Sequence, residues 1–293
     1  MICPHCSSMY TKKDGKKSRK KGMVQQYHCN SCTKYFSIPL DTEVKEYDSR
    51  VVPGEILQYE TDENVRIHCL TDIHVGAQEF DLKKFQEAVV KIAKDPNAVW
   101  FGNGDLLELI PPNYKISQRG QAIPPDEQYL TFLQLVAPIK DKCLFIRGGN
   151  HDFIRSFNIL DFDVCRTLAA ELNVPYFVFP GYTEIKVKGK KWYLVSGHGK
   201  SGGKNGDLEL DKLAAVYTEG DVFVLGHNHQ LYAKPVDSIK PDGDEEALKR
   251  RWYVRGGSFL RYAEYARYSF YPIVRTGWIT MEFTDKEVKC WEN

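Results

Sequence analysis

Several apolar runs in this chain end in side chains able to hold a metal ion or move a proton. LTDIH supplies Asp72 and His74, FGNGD supplies Asp105, and IRGGNHD supplies Asn150, His151 and Asp152. LVSGHG adds His198, and VLGHNH adds His227 and His229, so five of the eight histidines belong to this set. Mixed imidazole and oxygen donors suit Mn, Fe, Zn or Co better than Mg or Ca. Two such ions about 3.5–4 Å apart can clamp a phosphate and acidify a water. Two aspartates against four positive charges leave an excess that favours a phosphate ester. Taken singly, Asp72, Asp105 or Asn150 is as well explained by turn or capping duty. Their joint recurrence at strand ends is what points to a metal centre.

The elements that must position these residues are legible in outline. From Val65 onward, short apolar runs (VRIHCLTD, NAVWFGNGD, CLFIRGGNHD) alternate with helix-length amphipathic stretches. These stretches are FDLKKFQEAVVKIAKD, DEQYLTFLQLVAPIKD and LDFDVCRTLAAELN. The alternation predicts an α/β core with parallel strands. TEIKVKGKKWYLVSG, WYVRGGSF and GWITMEFTD…EVKCW predict hairpins of a second, more antiparallel sheet. Sites in open α/β sheets form beyond the carboxyl ends of strands, so residues distant in sequence can converge there. His68, in the middle of VRIHCLT, reads instead as a core residue.

DIH, GNGD, GGNHD, GHG and GHNH, in this order, resemble the signature of the calcineurin-like metallophosphoesterase superfamily over residues 65 to about 285. The resemblance implies an α/β fold, a two-sheet sandwich flanked by helices. It implies that Asp72, His74 and His229 bind a first metal, that Asp105 bridges, and that Asn150, His198 and His227 bind a second. Manganese is the first choice for the pair, with iron or zinc as alternatives. A hydroxide bridging the metals would attack phosphorus in line, His151 would protonate the leaving oxygen, and Asp152 would orient His151.

Departures within the motifs narrow the substrate. Serine/threonine phosphatases of the superfamily follow the GD motif with Asp-Arg-Gly and place Glu after Asn-His. Here the sequence is GDLLELIPPN and GNHD, which disfavours that branch. Gly76, Glu108 and Pro111 instead resemble the pattern of SbcD-type DNA-repair nucleases. The acid at Glu108 is also similar to lipid-A-pathway pyrophosphatases. The DNA-capping domain of SbcD-type enzymes is not expected after the core, which counts against the ATPase partnership of those nucleases.

A different chemistry sits at the N-terminus. CPHC and CNSC, 22 residues apart, place Cys3, Cys6, Cys29 and Cys32 as two knuckles that a tetrahedral structural zinc requires. The stretch resembles the zinc ribbons of transposases. Residues 1–40 carry eight Lys/Arg against one acid, Asp14, or +7, whereas the rest carries 32 basic and 38 acidic residues, or −6. Lys12, Lys13, Lys16, Lys17, Arg19, Lys20 and Lys21 are expected to project together and contact a nucleic-acid backbone, DNA first. Cys69, Cys143, Cys165 and Cys290 read as buried thiols of a reducing compartment. Domain limits are expected at 1–38 (ribbon), 39–64 (linker or docking segment) and 65–293 (phosphoesterase).

With 42% hydrophobic and 27% charged residues, the chain can bury a sizeable core and is not globally disordered. It has no run of about 18 apolar residues and no signal-peptide core, so it is read as cytoplasmic with no membrane partner. The GKSGGKNGD stretch after His198 offers Lys200 and Lys204 for phosphates. The aromatic and arginine-rich stretch WYVRGGSFLRYAEYARYSFYP is expected mostly to pack. The leading expectation is a dinuclear-metal nuclease tethered by a basic zinc ribbon. The alternatives are a small-molecule phosphoesterase or pyrophosphatase with the ribbon as docking module, and a non-enzymatic nucleic-acid-binding protein.

Overall fold

The computed structural model describes residues 3–19, 22–39, 56–111, 120–200, 206–242, 245–262, 270 and 273–293. The chain divides into two compact units, Met1–Asp48 and Ser49–Asn293.

The small unit is an antiparallel sheet of β1 (Thr11–Arg19), β2 (Gly22–Cys29) and β3 (Tyr35–Pro39), in that order. Its only buried apolar residues among those described are Cys3 and Cys29, while Met9 and Tyr10 stand 76% and 78% exposed. A sheet with so little apolar core cannot offset its own ordering entropy. Lys12 pairs His28 and Lys13 pairs Tyr27, and a bulge follows before Lys16 pairs Gln25. Neighbouring strand residues point to opposite faces, so the lysines divide between both faces rather than projecting together as expected. Lys12, Lys13, Lys16 and Lys17 are exposed. The side chain of Arg19, with Lys20 and Lys21, lies outside the described residues.

The large unit contains β4 (Leu57–Thr61), β5 (Val65–Leu70), β6 (Ala98–Asn103), β7 (Cys143–Arg147) and β8 (Tyr176–Phe177). It continues with β9 (Gly181–Val187), β10 (Lys190–Gly197), β11 (Val222–Leu225) and β12 (Leu231–Asp242). β13 (Glu245–Ser258), β14 (Gly277–Phe283) and β15 (Val288–Glu292) complete the set. Strand order is β4-β9-β10-β11-β13-β14-β5-β6-β7-β8, with β12 on β13 and β15 on β14. β5 to β8 run parallel, as do β10, β11 and β13, whereas β14 and β15 are antiparallel. The two halves join through just two residue pairs, Gly257–Trp278 and Ser258–Gly277. The second half is therefore less antiparallel than expected.

The alternation of side chains explains the layers. Ile67, Cys69, Phe101 and Phe145 from one half meet Ile185, Leu194, Val224 and Val254 from the other in a shared core. The outward residues of β5 to β8, such as Trp100, Ile146 and Tyr176, are covered by α1 (Leu82–Lys94), α2 (Pro125–Val136) and α4 (Val164–Leu172). A short α3 (Ser156–Leu160) precedes α4. Val195 and Phe223 pack outward against α5 (Gly206–Val216). This is the expected sandwich flanked by helices. Caps set two of the helix starts: the side chains of Asp81 and Asp163 accept from Lys84 N and Arg166 N, at 3.2 and 3.0 Å.

Of the segment expected as linker, Leu57–Thr61 is β4, paired in parallel with β9, while residues 40–55 lie outside the described residues. Lys204 and residues 263–269 of the aromatic stretch also lie outside them. Within that stretch Tyr253, Val254, Arg255, Phe259 and Leu260 are buried. No helix among the described residues is long and apolar enough to cross a membrane.

Candidate functional site

The loops after β5 and β6 keep pairing beyond the strands themselves. Asp72 N donates to Gly104 O, His74 N to Asp105 O and Val75 N to Leu106 O, each at 3.0 Å. The chain enters left-handed backbone at Asp72, His74, Asp105, His227 and His229, with φ between 49° and 69°. Such positions are strained for most side chains and cluster at functional sites. Two glycines make the approach possible. A Cβ on Gly149 would lie 2.2 Å from Asp105 Oδ1, and one on Gly226 would lie 2.3 Å from Thr71 Oγ1 and 2.5 Å from Asp72 Oδ2.

Seven of the expected residues converge in two groups. In Asp72, His74 and His229, the donor atoms all lie within 4.8 Å of one another. The two Nε2 atoms are 3.3 Å apart, and His229 Nε2 is 3.3 Å from Asp72 Oδ1. The same limit holds for Asp105, His198 and His227. Asn150 Oδ1 sits between these imidazoles, 3.2 Å from His198 Nε2 and 2.7 Å from His227 Nδ1. His198 Nε2 is 3.2 Å from Asp105 Oδ2, and its Nδ1 lies 2.9 Å from Asn103 O, which orients the ring. The two histidines of GHNH thus belong to different groups. His227 N also donates to both oxygens of Asp72 at 3.0 Å, tying the groups together.

His151 stands at the edge of this centre, its Nε2 3.9 Å from Asp105 Oδ2. Its backbone N–H donates to Asp105 Oδ1 at 2.7 Å. The expected contact with Asp152 is replaced by another arrangement. Asp152 Oδ2 accepts from Leu106 N at 2.6 Å and Oδ1 from Gly149 N at 2.7 Å, so this carboxylate staples the two loops. The His151 ring is held instead by Glu108 Oε2, 3.3 Å from Nδ1, and by Arg155, whose Nη2 donates to Nε2 at 2.8 Å. Glu108 Oε2 is also 2.8 Å from His74 Nδ1, so one carboxylate serves both rings. Sequence reasoning missed Arg155, although the spacing from His151 is one helical turn. It noted Glu108 only as an acid in a motif.

Burial would raise Asp72, but hydrogen bonding from His229 and the field of His198 hold it at about 2. Asp105 is likewise held below the usual carboxylate range by His198 and His151 against the effect of burial. Burial would lower His198, yet Asp105 lifts it to about 10. Asp152 moves the other way, raised by burial and then by the charge of Asp105. His227 is lowered by burial and by its neighbour His198. Buried, ionised aspartates facing converging ring nitrogens are the donor set for divalent cations, which would neutralise what burial penalises. The residues present therefore fit two metal sites.

The four cysteines form a second centre. Cys3 Sγ and Cys32 Sγ are 3.7 Å apart, and Cys6 Sγ and Cys29 Sγ 3.6 Å. Four thiolates at about 2.3 Å from one ion stand roughly 3.8 Å apart along a tetrahedral edge, close to these separations. They are far beyond the roughly 2 Å of a disulfide. Ser7 and Thr33, each one residue past the second cysteine of its knuckle, both take left-handed φ, at 55° and 59°. The cluster fits one structural metal.

No curated protein sequence matches the chain significantly. Among solved structures, a predicted phosphoesterase from Streptococcus pneumoniae TIGR4 is similar at 16% identity and a TM-score of 0.37, covering 80% of this chain and 100% of that one. Vps29 (a D62A mutant) from Entamoeba histolytica is similar at 13% and 0.42, covering 78% and 98%. The NAD nucleotidase of Haemophilus influenzae is similar at 11% and 0.40, covering 78% and 49%. The calcineurin-like phosphoesterase family model matches residues 65–250, most of the chain and all the residues of both His/Asp groups. The chain belongs to the calcineurin-like phosphoesterase family.

Proposed function

We propose that this phosphoesterase is a nuclease: a dinuclear-metal phosphodiesterase acting on nucleic acid, DNA first, and tethered to it by the basic ribbon. The observation that carries this reading is the pairing, in one chain, of a seven-residue metal-capable centre with an exposed run of lysines on a metal-closed sheet. Exposed lysines supply the sequence-independent backbone attraction that a tether needs.

Asp72, His74 and His229 would hold the first ion and Asn150, His198 and His227 the second, with Asp105, which lies with His198 and His227, as the carboxylate that would serve both. Manganese is the first choice, with iron or zinc as alternatives, and zinc is assigned to the cysteines. When bound, the pair polarises the phosphate and lowers the pKa of water so that it can attack near neutral pH. The chain's own residues do the rest. Glu108 steadies His74 and His151 together. His151 delivers a proton to the leaving oxygen through Nε2, which requires Arg155 to turn from that nitrogen toward the incoming phosphate. Asp152 keeps the GNGD and GGNHD loops in register so that Asp105 and Asn150 face the same space.

The test is a panel on the full chain with added Mn: single- and double-stranded DNA, RNA, nucleotides and a phosphomonoester. Strand cleavage that weakens with salt, and weakens less steeply once Lys12, Lys13, Lys16 and Lys17 are changed to Gln, supports the proposal. Robust turnover of nucleotides or monoesters with no strand cut would refute it in favour of a small-molecule phosphoesterase.

A further inference from the structure

Glu209 lies in the first turn of α5 and belongs to neither His/Asp group, yet its carboxylate links the loops that carry two metal-site histidines. Glu209 Oε1 accepts from Lys200 N at 2.7 Å, two residues beyond His198. Glu209 Oε2 pairs with Arg255 Nη2 at 3.2 Å. Arg255, in β13 and fully buried, donates through Nη1 to Gly226 O at 3.2 Å, the carbonyl directly before His227. Gly226 N donates back to His198 O at 3.0 Å. The contacts close a ring from His198 through Lys200, Glu209, Arg255 and Gly226 to His198 again. Gly226, directly before His227, is therefore gripped at both its N–H and its C=O.

The other group is anchored differently. Asp72 O accepts from Ser258 Oγ at 2.9 Å and from Phe259 N at 3.0 Å, and Gly257 N donates to Gln230 O, next to His229, at 3.0 Å. Among the described residues its histidines are not bonded to α5, which reaches the strand after His229, where Asp207 accepts from Tyr232 Oη at 2.8 Å. A charged pair of which one member is wholly buried is strongly destabilising to break from one side, so the ring resists deformation only while both members are present.

We propose that Glu209 is a positioning residue that acts first on the second metal group, through Arg255 and the Lys200 peptide, to set the separation of His198 and His227. This rests on the dinuclear reading above, and Glu209 itself touches neither metal nor substrate. Loss of such an outer partner typically weakens metal binding by about 10- to 100-fold, and here the larger weakening falls on the second ion.

The experiment uses the full chain, depleted of metal, given back one equivalent of Zn²⁺ for the cysteines, and titrated with Mn²⁺. Calorimetry reads the two affinities, and electron paramagnetic resonance separates lone from spin-coupled Mn²⁺. In Glu209→Ala the first affinity is expected to stay within about twofold and the second to fall by about 10- to 100-fold, with the coupled signal appearing only at higher Mn²⁺. Glu209→Gln keeps an acceptor for Lys200 N but not the charge, and is expected to fall between Glu209→Ala and wild type. It also carries the test should the alanine variant not fold. Equal loss of both affinities, or an unchanged second affinity, would overturn the proposal. A wild type that binds a single Mn²⁺ would overturn the dinuclear reading and this inference with it, whereas a wild-type pair left intact in the variants overturns the inference only.

Discussion

The cysteine cluster and the His/Asp centre relate to their surroundings in opposite ways. The cysteines belong to a three-stranded sheet whose only buried apolar residues among those described are two of the four cysteines. Around the His/Asp centre stand two half-sheets, a shared core and covering helices, and the ligand loops are bonded to each other through backbone groups. In the first case the ion must hold the fold. In the second the fold holds the donors, some of them in backbone conformations they would not choose alone. A metal that stabilises and a metal that reacts therefore make different demands on the chain, and this protein answers both.

Removing all metal should separate the two units most sharply. Structural zinc contributes on the order of 10 kcal/mol to small thiolate domains, so chelation should collapse the amide dispersion of residues 3–39 in an NMR spectrum. The signals of residues 57–61 and 65–103 should persist. If both units melt together, the contrast is wrong. Next in size, Asp105→Ala should lower phosphoester hydrolysis by about a thousand-fold, on the order expected when metal-borne charge stabilisation is lost, while thermal unfolding of the large unit shows it still folded. His151→Ala should lower the rate by about 10²–10⁴-fold and leave the metal content measured by mass spectrometry unchanged. Metal loss in that variant would move His151 into the ligand set.

The smallest effect concerns a histidine that does no chemistry. His68 is 1% exposed, and its Nδ1 accepts from Trp278 Nε1 at 3.1 Å and pairs with Thr280 Oγ1 at 2.9 Å. Burial, aided by Lys91, lowers it to about 4 from an ordinary 6.5. The folded state therefore binds this proton less readily than the unfolded chain. Its contribution is intact above about pH 6.5 and is lost as pH falls toward 4, by up to about 3 kcal/mol. The wild-type urea midpoint should fall across that window more than that of His68→Gln, and parallel curves would assign the acid sensitivity elsewhere.

The residues that converge at the centre were readable because the chemistry restricts them to a few types at strand ends, where the α/β pattern locates them. α1 was equally plain, with Asp81 as cap and Phe85, Ala88, Val89 and Ile92 on its buried side. What escaped depends on partners that sequence does not display. LQYET looks like acidic linker, yet it alternates half-buried and exposed once β9 lies beside it. The segment that became β12 contains Pro235 and Pro241, which argue against a strand unless it lies at an edge, and β12 pairs only with β13 among the described residues. The family resemblance implied that Asp152 orients His151, a pairing the local backbone does not allow. The π-helical turn over Asn150–Arg155 buries the aspartate against backbone amides and brings Arg155 round to the ring.

The left-handed backbone at Asp72, His74, Asp105, His227 and His229 has a consequence for which amino acids can ever occupy those places. Aspartate, asparagine and histidine are the non-glycine residues most at ease with positive φ, while most other side chains lose roughly 1–2 kcal/mol there. Glutamate and cysteine, both able ligands, are handicapped at these five positions before coordination is considered. Torsion as well as chemistry thus limits the alphabet of the centre. A programme to retune its metal preference would find more latitude at Asn150 and His198, which are free of that restriction.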